Sequence, residues 1–384
     1  MKITDIKPVR ANRFFFVQIE TDEGITGLGE GGAFGALDAV GAHVEYLKEY
    51  LIGKDPLDIE HHWQVMFRGR FFRGSVVMAA ISAIDIALWD IAGKYYHVPV
   101  YRLLGGPVRS KVRCYAHVFA KSDEEMVANC RKRMEQGFTA VGHLSPFLDE
   151  PLNLPYEKTH VQNMIESYNR VKLMRETVGD NIDLCIEMHR RMTPGEAIQL
   201  INKLDEFDPL FVEDPIPPGN NEAMAEVKKQ TRLPIATGER LHTIFDFENL
   251  LEHRACHYVR TSITTCGGIT GARKIAAMAE AKMCQIIPHN PLTPVATAAS
   301  LQVCACVDNL LINEFPDPEA KLLRSDACKK DLVKNYYNPV DGYITLPTAE
   351  GIGIELADGI EKSFPPESVN AASRLNSDGS VRDQ

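Results

Sequence analysis

Asp183-Leu184-Cys185-Ile186-Glu187, Leu210-Phe211-Val212-Glu213 and Ile235-Ala236-Thr237-Gly238-Glu239 are three short apolar runs, each ending on a glutamate. The glutamates stand 26 residues apart in both intervals. A short apolar run followed by an amphipathic stretch predicts a buried parallel strand and its returning helix. One such unit of a closed (β/α) barrel consumes about this much chain, since roughly 250 residues supply eight of them. Residues in equal phase on successive strands then gather at one rim. That rim, at the carboxyl ends of the strands, is where barrel enzymes place their chemistry.

The rhythm continues in both directions. Runs at 113–118, 140–144, 257–262, 285–289 and 310–314 bring the set to eight, with Ser262, His289 and Glu314 following Glu239 after 23, 27 and 25 residues. Between them lie helical patterns, clearest over 271–282. The front of the chain differs. Residues 3–10 and 13–21 are β-rich, Asp22-Glu23-Gly24 is a turn, and residues 79–95 place Ile81, Ile84, Leu88 and Ile91 on one helical face. The pattern predicts an α/β chain: a compact α+β domain over residues 1–112, then a closed parallel (β/α) barrel over 113–334. From about residue 335 the chain is irregular, with a loose polar tail from Pro365. Residues 146–159, rich in Pro, Leu, Asp and Glu, break the rhythm as an inserted loop, and their helix runs from Thr159 or His160 to Val178.

Composition narrows the partners. The 384 residues are 45% hydrophobic, ample for a large core, and the formal net charge is −10. An acidic chain with no Lys/Arg block argues against nucleic acid or an anionic membrane as partner. An anionic small substrate stays compatible, because a metal or local cation reverses the field inside one cleft. No run of 18 consecutive apolar residues occurs, and the first residues lack the apolar stretch of a signal peptide, so a cytoplasmic location is expected. Nine scattered cysteines, an odd number in a long chain, suggest reduced structural thiols rather than disulfides or zinc.

Three carboxylates at one rim repel each other by ~4 kcal/mol per pair at 4 Å and an effective dielectric of 20. They must be protonated, paired with neighbours such as Arg190, Arg191 or Arg240, or bound to a hard divalent ion. An all-oxygen set of three suits Mg²⁺, which keeps positions for water and substrate. His189 follows Glu187 by two residues, which on an extended strand points both side chains the same way. His289, in Pro288-His289-Asn290-Pro291, ends a strand across from the carboxylates.

These residues resemble the mandelate racemase branch of the enolase superfamily, within it the galactonate dehydratase type, over nearly the whole chain. The segments that carry the resemblance are Ser82-Ala83-Ile84-Asp85-Ile86-Ala87-Leu88-Trp89-Asp90, Leu103-Leu104-Gly105-Gly106, Val212-Glu213-Asp214-Pro215, Thr237-Gly238-Glu239-Arg240, Cys266-Gly267-Gly268-Ile269-Thr270 and Pro288-His289-Asn290-Pro291-Leu292. The resemblance implies a modified (β/α) TIM-like barrel under an α+β N-terminal capping domain, which residues 335–384 return to complete. It also implies removal of the proton α to a substrate carboxylate, giving an enediolate held by Mg²⁺. It implies Glu187, Glu213 and Glu239 as metal ligands, His189 as the acid assisting the β-hydroxyl, His289 as the base, and Glu314 as a hydrogen-bonding partner of the enediolate oxygen. Arg70 and Arg73 in the cap, with His143, Ser145 and Arg260 in the barrel, are substrate-binding candidates. The partner implied is a small acid sugar of galactonate, gluconate or mannonate type, and the protein is expected to be a homo-oligomer.

The chain departs from the family pattern in three respects. Glu187 stands where relatives usually carry Asp, one methylene longer. His143 and Ser145 stand on the second strand where a Lys and another polar residue are usual, so no lysine base is available there. Ser262 replaces the Asp that normally supports the base histidine, and Arg260, in phase with it, brings a cation that disfavours a protonated His289. The expected activity is a hydro-lyase reaction giving a 2-keto-3-deoxy acid. The alternatives are a hydroxy-acid epimerase or racemase, and a barrel that binds metal and acid sugar with little or no turnover.

Overall fold

The computed structural model describes residues 1–69, 71–148, 154–368 and 373–382. The chain opens on an antiparallel meander of β1 (Ile3–Ala11), β2 (Phe14–Thr21) and β3 (Thr26–Gly31). Alternation along β1 buries Ile3, Ile6, Val9 and Ala11. Three helices, α1 (Leu37–Leu51), α2 (Ile59–Arg68) and α3 (Ser75–Tyr95), cover the sheet, and the short α4 (Val100–Leu103) leads out. By length and composition α3 would suit a membrane, yet it is the buried core of the cap. It packs so close to β3 that a Cβ on Gly29 would lie 1.9 Å from the Ala83 carbonyl oxygen.

Eight parallel strands follow: β4 (Lys111–His117), β5 (Ala140–Leu144), β6 (Asp183–Glu187), β7 (Phe211–Glu213), β8 (Ile235–Thr237), β9 (Tyr258–Ser262), β10 (Gln285–His289) and β11 (Asn313–Phe315). Each pairs with the next from β4 to β10, and β11 returns to β4. The ring closes where the Leu311 N–H donates to the Ile286 carbonyl at 3.0 Å and the Ile286 N–H to that of Asn309 at 2.8 Å. Between consecutive strands lie α5 (Asp123–Glu135), α6 (His160–Val178), α7 (Pro194–Leu204), α8 (Asn221–Gln230), α9 (Ile244–Glu252), α10 (Gly268–Ala281) and α11 (Pro294–Cys306). Thr159 opens α6 with a capping box shared with Gln162.

After β11 the described residues contain no eighth barrel helix. The chain instead returns: β12 (Tyr343–Thr345) lies antiparallel on β4, and α12 (Ile360–Ser363) reaches β1, where the Asn12 N–H donates to the Phe364 carbonyl at 2.9 Å. The expectation of a loose tail is corrected for its described part. β13 (Arg374–Leu375) and β14 (Val381–Arg382) form a hairpin, the Tyr156 N–H bonds the Leu375 carbonyl at 2.8 Å, and Arg382 covers the Tyr156 ring at 4.1 Å. Those contacts are main-chain bonds and one cation on a ring, which apolar composition does not reveal.

The segment 82–90 earns its composition at the seam between cap and barrel. Ser82 Oγ accepts the Gly267 N–H at 2.9 Å, Asp85 Oδ2 accepts the Thr270 N–H at 3.0 Å, and Trp89 Nε1 donates to Thr270 Oγ1 at 2.9 Å. Asp90 accepts from the Leu28 and Ile352 N–H groups and from Lys94. Gly268, at φ +70°, leaves room for the Asp85 carboxylate, which a Cβ there would meet at 2.3 Å.

Candidate active site

Glu187 ends β6 and Glu213 ends β7, in register with each other, while Glu239 stands two residues past β8 after Gly238 turns the chain at φ +131°. Their ligand oxygens lie within 4.8 Å of one another. Burial, followed by the neighbouring glutamates, pushes Glu187 far up from the usual carboxylate range, and burial brings Glu213 up to about 8 even against Arg260. Burial works against charge on Glu239 too, but His289 and Arg190 outweigh it and hold Glu239 low. Arg190 joins Glu239 at 2.6 Å and Asp214 at 3.0 Å. Arg260 reaches Glu213 and Arg190 reaches Glu239, while Glu187 has no ion pair among the described residues, so the triad is short of positive charge. Three oxygen donors with that deficit fit a hard divalent cation.

His189 and Arg190 have left the strand, with φ +53° and +63°. Strand alternation therefore does not aim His189; a left-handed turn does, held by the His189 N–H on the Glu187 carboxylate. Its ring lines a cavity of about 680 Å³, together with His143, His117 and Phe119. His143 also stands at a left-handed φ of +53°, in an irregularity of β5, with its ring 5.7 Å from that of His189. Burial lowers His189 to about 4 and pushes His143 far down, so both rings are neutral at pH 7.

His289 ends β10 beside Ser262, but the Ser262 hydroxyl turns to Thr264. The carboxylate that meets His289 is Glu239, with Nε2 to Oε2 at 3.1 Å. Burial disfavours the imidazolium, yet Glu239 and Glu314 outweigh it and raise His289. Arg260 does enter the barrel interior, as its phase requires. Its guanidinium is taken up by Glu213 and Glu314, so its charge is spent on those carboxylates, and it does not line the cavity. Glu314 on β11 accepts from His117, from Arg260 and from the Asn290 N–H at 2.8 Å. Burial raises it, but Arg260 and His289 prevail and keep it ionised, hence an acceptor only.

The remaining candidates scatter. Ser145 sits beside His143, and its hydroxyl accepts the Phe147 N–H at 3.2 Å away from the main cavity. Arg73 stacks on Phe67 at 4.1 Å in the cap, outside the cavity lining. Arg70 lies outside the described residues. Two groups of residues went unread in the sequence. His117, at the end of β4, bonds Glu314 at 2.6 Å and lines the cavity; it stands 26 residues before His143, the same interval that marked the glutamates. Arg13 and Lys329 also line the cavity, and no local pattern brings them there.

A small α+β cap on a parallel barrel with an acidic triad at the rim defines an enzyme of the enolase superfamily. The chain belongs to its mandelate racemase / muconate lactonizing enzyme family, whose N-terminal domain model matches residues 3–105, while the enolase C-terminal domain-like model matches residues 125–360. It is 36% identical to a D-galactonate dehydratase of Ralstonia pickettii over 99% of both chains. It is 37% identical to one of Pectobacterium atrosepticum over 93% of this chain and 92% of the other. Among solved structures, an enolase from Agrobacterium radiobacter, provisionally a galactarate dehydratase and holding sodium and L-malate, superimposes with TM-score 0.91 at 30% identity over 100% of both chains.

Proposed function

We propose that the protein is a Mg²⁺-dependent sugar-acid dehydratase that forms a 2-keto-3-deoxy acid. The observation that carries this reading is the acidic triad flanked by His189, in the turn just past β6, and His289, at the end of β10. β6 and β10 are four places apart in a ring of eight, so His189 and His289 stand on opposite sides of the barrel mouth. The names of the relatives support a sugar acid as substrate.

Glu187, Glu213 and Glu239 would hold the ion, which when bound draws charge from the substrate carboxylate and acidifies the α-proton. His289 takes that proton. Glu239, 3.1 Å from Nε2, supports the resulting imidazolium, a role that the uncharged Ser262 does not fill. His189 in its imidazolium form gives the proton with which the β-hydroxyl leaves as water; burial makes that form scarce in the free protein, so the proton is taken up from solvent before the step. Glu314, being ionised, serves through His117: it accepts from Nε2 and leaves Nδ1 to meet a substrate hydroxyl. His143, where relatives carry lysine, is held far below the usual imidazole range by burial and is therefore a weak base.

Exchange of the α-hydrogen in D₂O separates the two roles. His289→Asn is expected to abolish both exchange and dehydration. His189→Asn is expected to keep exchange while dehydration falls by ~10²- to 10⁴-fold, with Mg²⁺ binding unchanged in both variants. Dehydration surviving in His189→Asn would reject the acid assignment, and exchange surviving in His289→Asn would reject the base.

A further inference from the structure

The charges that line the cavity are not balanced. Of its two carboxylates, Asp38 is taken by Arg10 and Glu367 by Arg324 at 2.9 Å. Two lining cations remain without a carboxylate partner among the described residues: Arg13 and Lys329. Lys329 is 5% exposed and spends one of its three donors on the Pro291 carbonyl at 2.8 Å. Arg13 makes no ion pair or hydrogen bond with any described residue.

These cations come from different parts of the chain, Arg13 from the cap between β1 and β2, Lys329 from the turn after β11. They meet over one ring: Arg13 lies 5.7 Å and Lys329 5.9 Å from the centre of Phe14. Burial and then the Arg13 charge bring Lys329 down to about 8. The carboxyl nearest in charge terms, Glu30, does not neutralise the pair, because burial lifts it to about 8 and keeps it protonated at pH 7. Two cations set against each other in a poorly hydrated wall cost free energy unless an anion joins them. The same cavity is also lined by His117, His143 and His189.

We propose that the substrate is a sugar dicarboxylate, an aldaric acid, whose second carboxylate seats between Arg13 and Lys329 while the first lies at the acidic triad. This rests on the dehydratase reading and adds the substrate's far end to it. A hydroxymethyl terminus, as in an aldonic acid, would leave both cations unpaired. A carboxylate gives each a charge-assisted hydrogen bond.

The test compares six-carbon aldarates with the matching aldonates and 6-phosphoaldonates on the Mg²⁺-loaded protein, by turnover and by calorimetric binding. The expected result is a kcat/KM for an aldarate at least tenfold above either alternative. Arg13→Gln and, separately, the near-isosteric Lys329→Met should lower the aldarate value ~10- to 100-fold more than the aldonate value. Equal or better turnover of aldonates, or preference for the phosphate ester, overturns the proposal and leaves the dehydratase reading standing. If no compound is dehydrated yet aldarates bind at least tenfold tighter than aldonates and lose that margin in both variants, the carboxylate seat stands and the dehydratase reading falls. If nothing is dehydrated and binding shows no such margin, both fall.

Discussion

Arg260 is the residue on which the electrostatics of the barrel interior turn. It is 1% exposed and forks between Glu213 and Glu314, two carboxylates from opposite parts of the ring. Removing one member of a buried charge network leaves its partners uncompensated, at a cost of about 3–5 kcal/mol. Arg260→Met is therefore expected to lower unfolding stability by about that amount in denaturant titration, with part of the loss recovered in saturating Mg²⁺. A loss under 1 kcal/mol would show that the fork is not a support of the native state. The same residue marks how far a sequence can be read. Its phase placed it in the interior, where it was expected to act on His289. That its charge is already spent depends on Glu314, 54 positions away, and on side-chain geometry that periodicity does not carry. His117 was legible by its interval and went unread because its strand was judged by its apolar run rather than by its last residue.

At the scale of elements, the cap supplies acids to the helix starts of the barrel. Asp85 from α3 accepts the Thr270 N–H in the first turn of α10. Glu30 from β3 accepts the Thr293 hydroxyl and the Ala296 N–H at the start of α11. Orphan N–H groups at a helix start need such acceptors. Burial nevertheless lifts Asp85 to about 7 and Glu30 to about 8, above their ordinary values. For a carboxyl raised on folding, the native state prefers the proton. Its contribution is complete below the unfolded value near 4.5 and is lost as pH climbs through 8. Between pH 5 and 8.5 the wild type should lose up to roughly 4 kcal/mol relative to Glu30→Gln, which keeps an acceptor but cannot ionise. Thermal unfolding across that range checks it, and parallel curves would refute it. Helix and strand positions were legible because the 26-residue interval repeats. The short motifs at residues 82–90 and 266–270 were recognisable by likeness alone, and only the folded seam shows their physical reason.

At the scale of the molecule, the triad couples metal to stability. An ion that binds only the native arrangement stabilises it by about 2.7 kcal/mol at one hundred times its dissociation constant. The melting temperature should rise with Mg²⁺, fall with chelator, and respond far less in Glu213→Gln. A melting temperature indifferent to divalent ions would remove the metal from the account. The barrel, its cap and the returning C-terminal segment were all foreseen in outline, since each follows from alternation and spacing. The docked tail and the Arg13–Lys329 pair were not, because they join residues hundreds of positions apart through the closed fold itself.

The seam of α3 against β3 and the start of α10 bears on how the cavity exchanges its contents. A cap fastened through Ser82, Asp85, Trp89 and Asp90 has no hinge along that edge. The cavity wall away from that seam includes the short coil bearing Phe34, half exposed, and Gly35, at a left-handed φ of +76°. Changing the length of that coil is therefore expected to alter product release, read as the viscosity dependence of kcat, more than loosening the seam does.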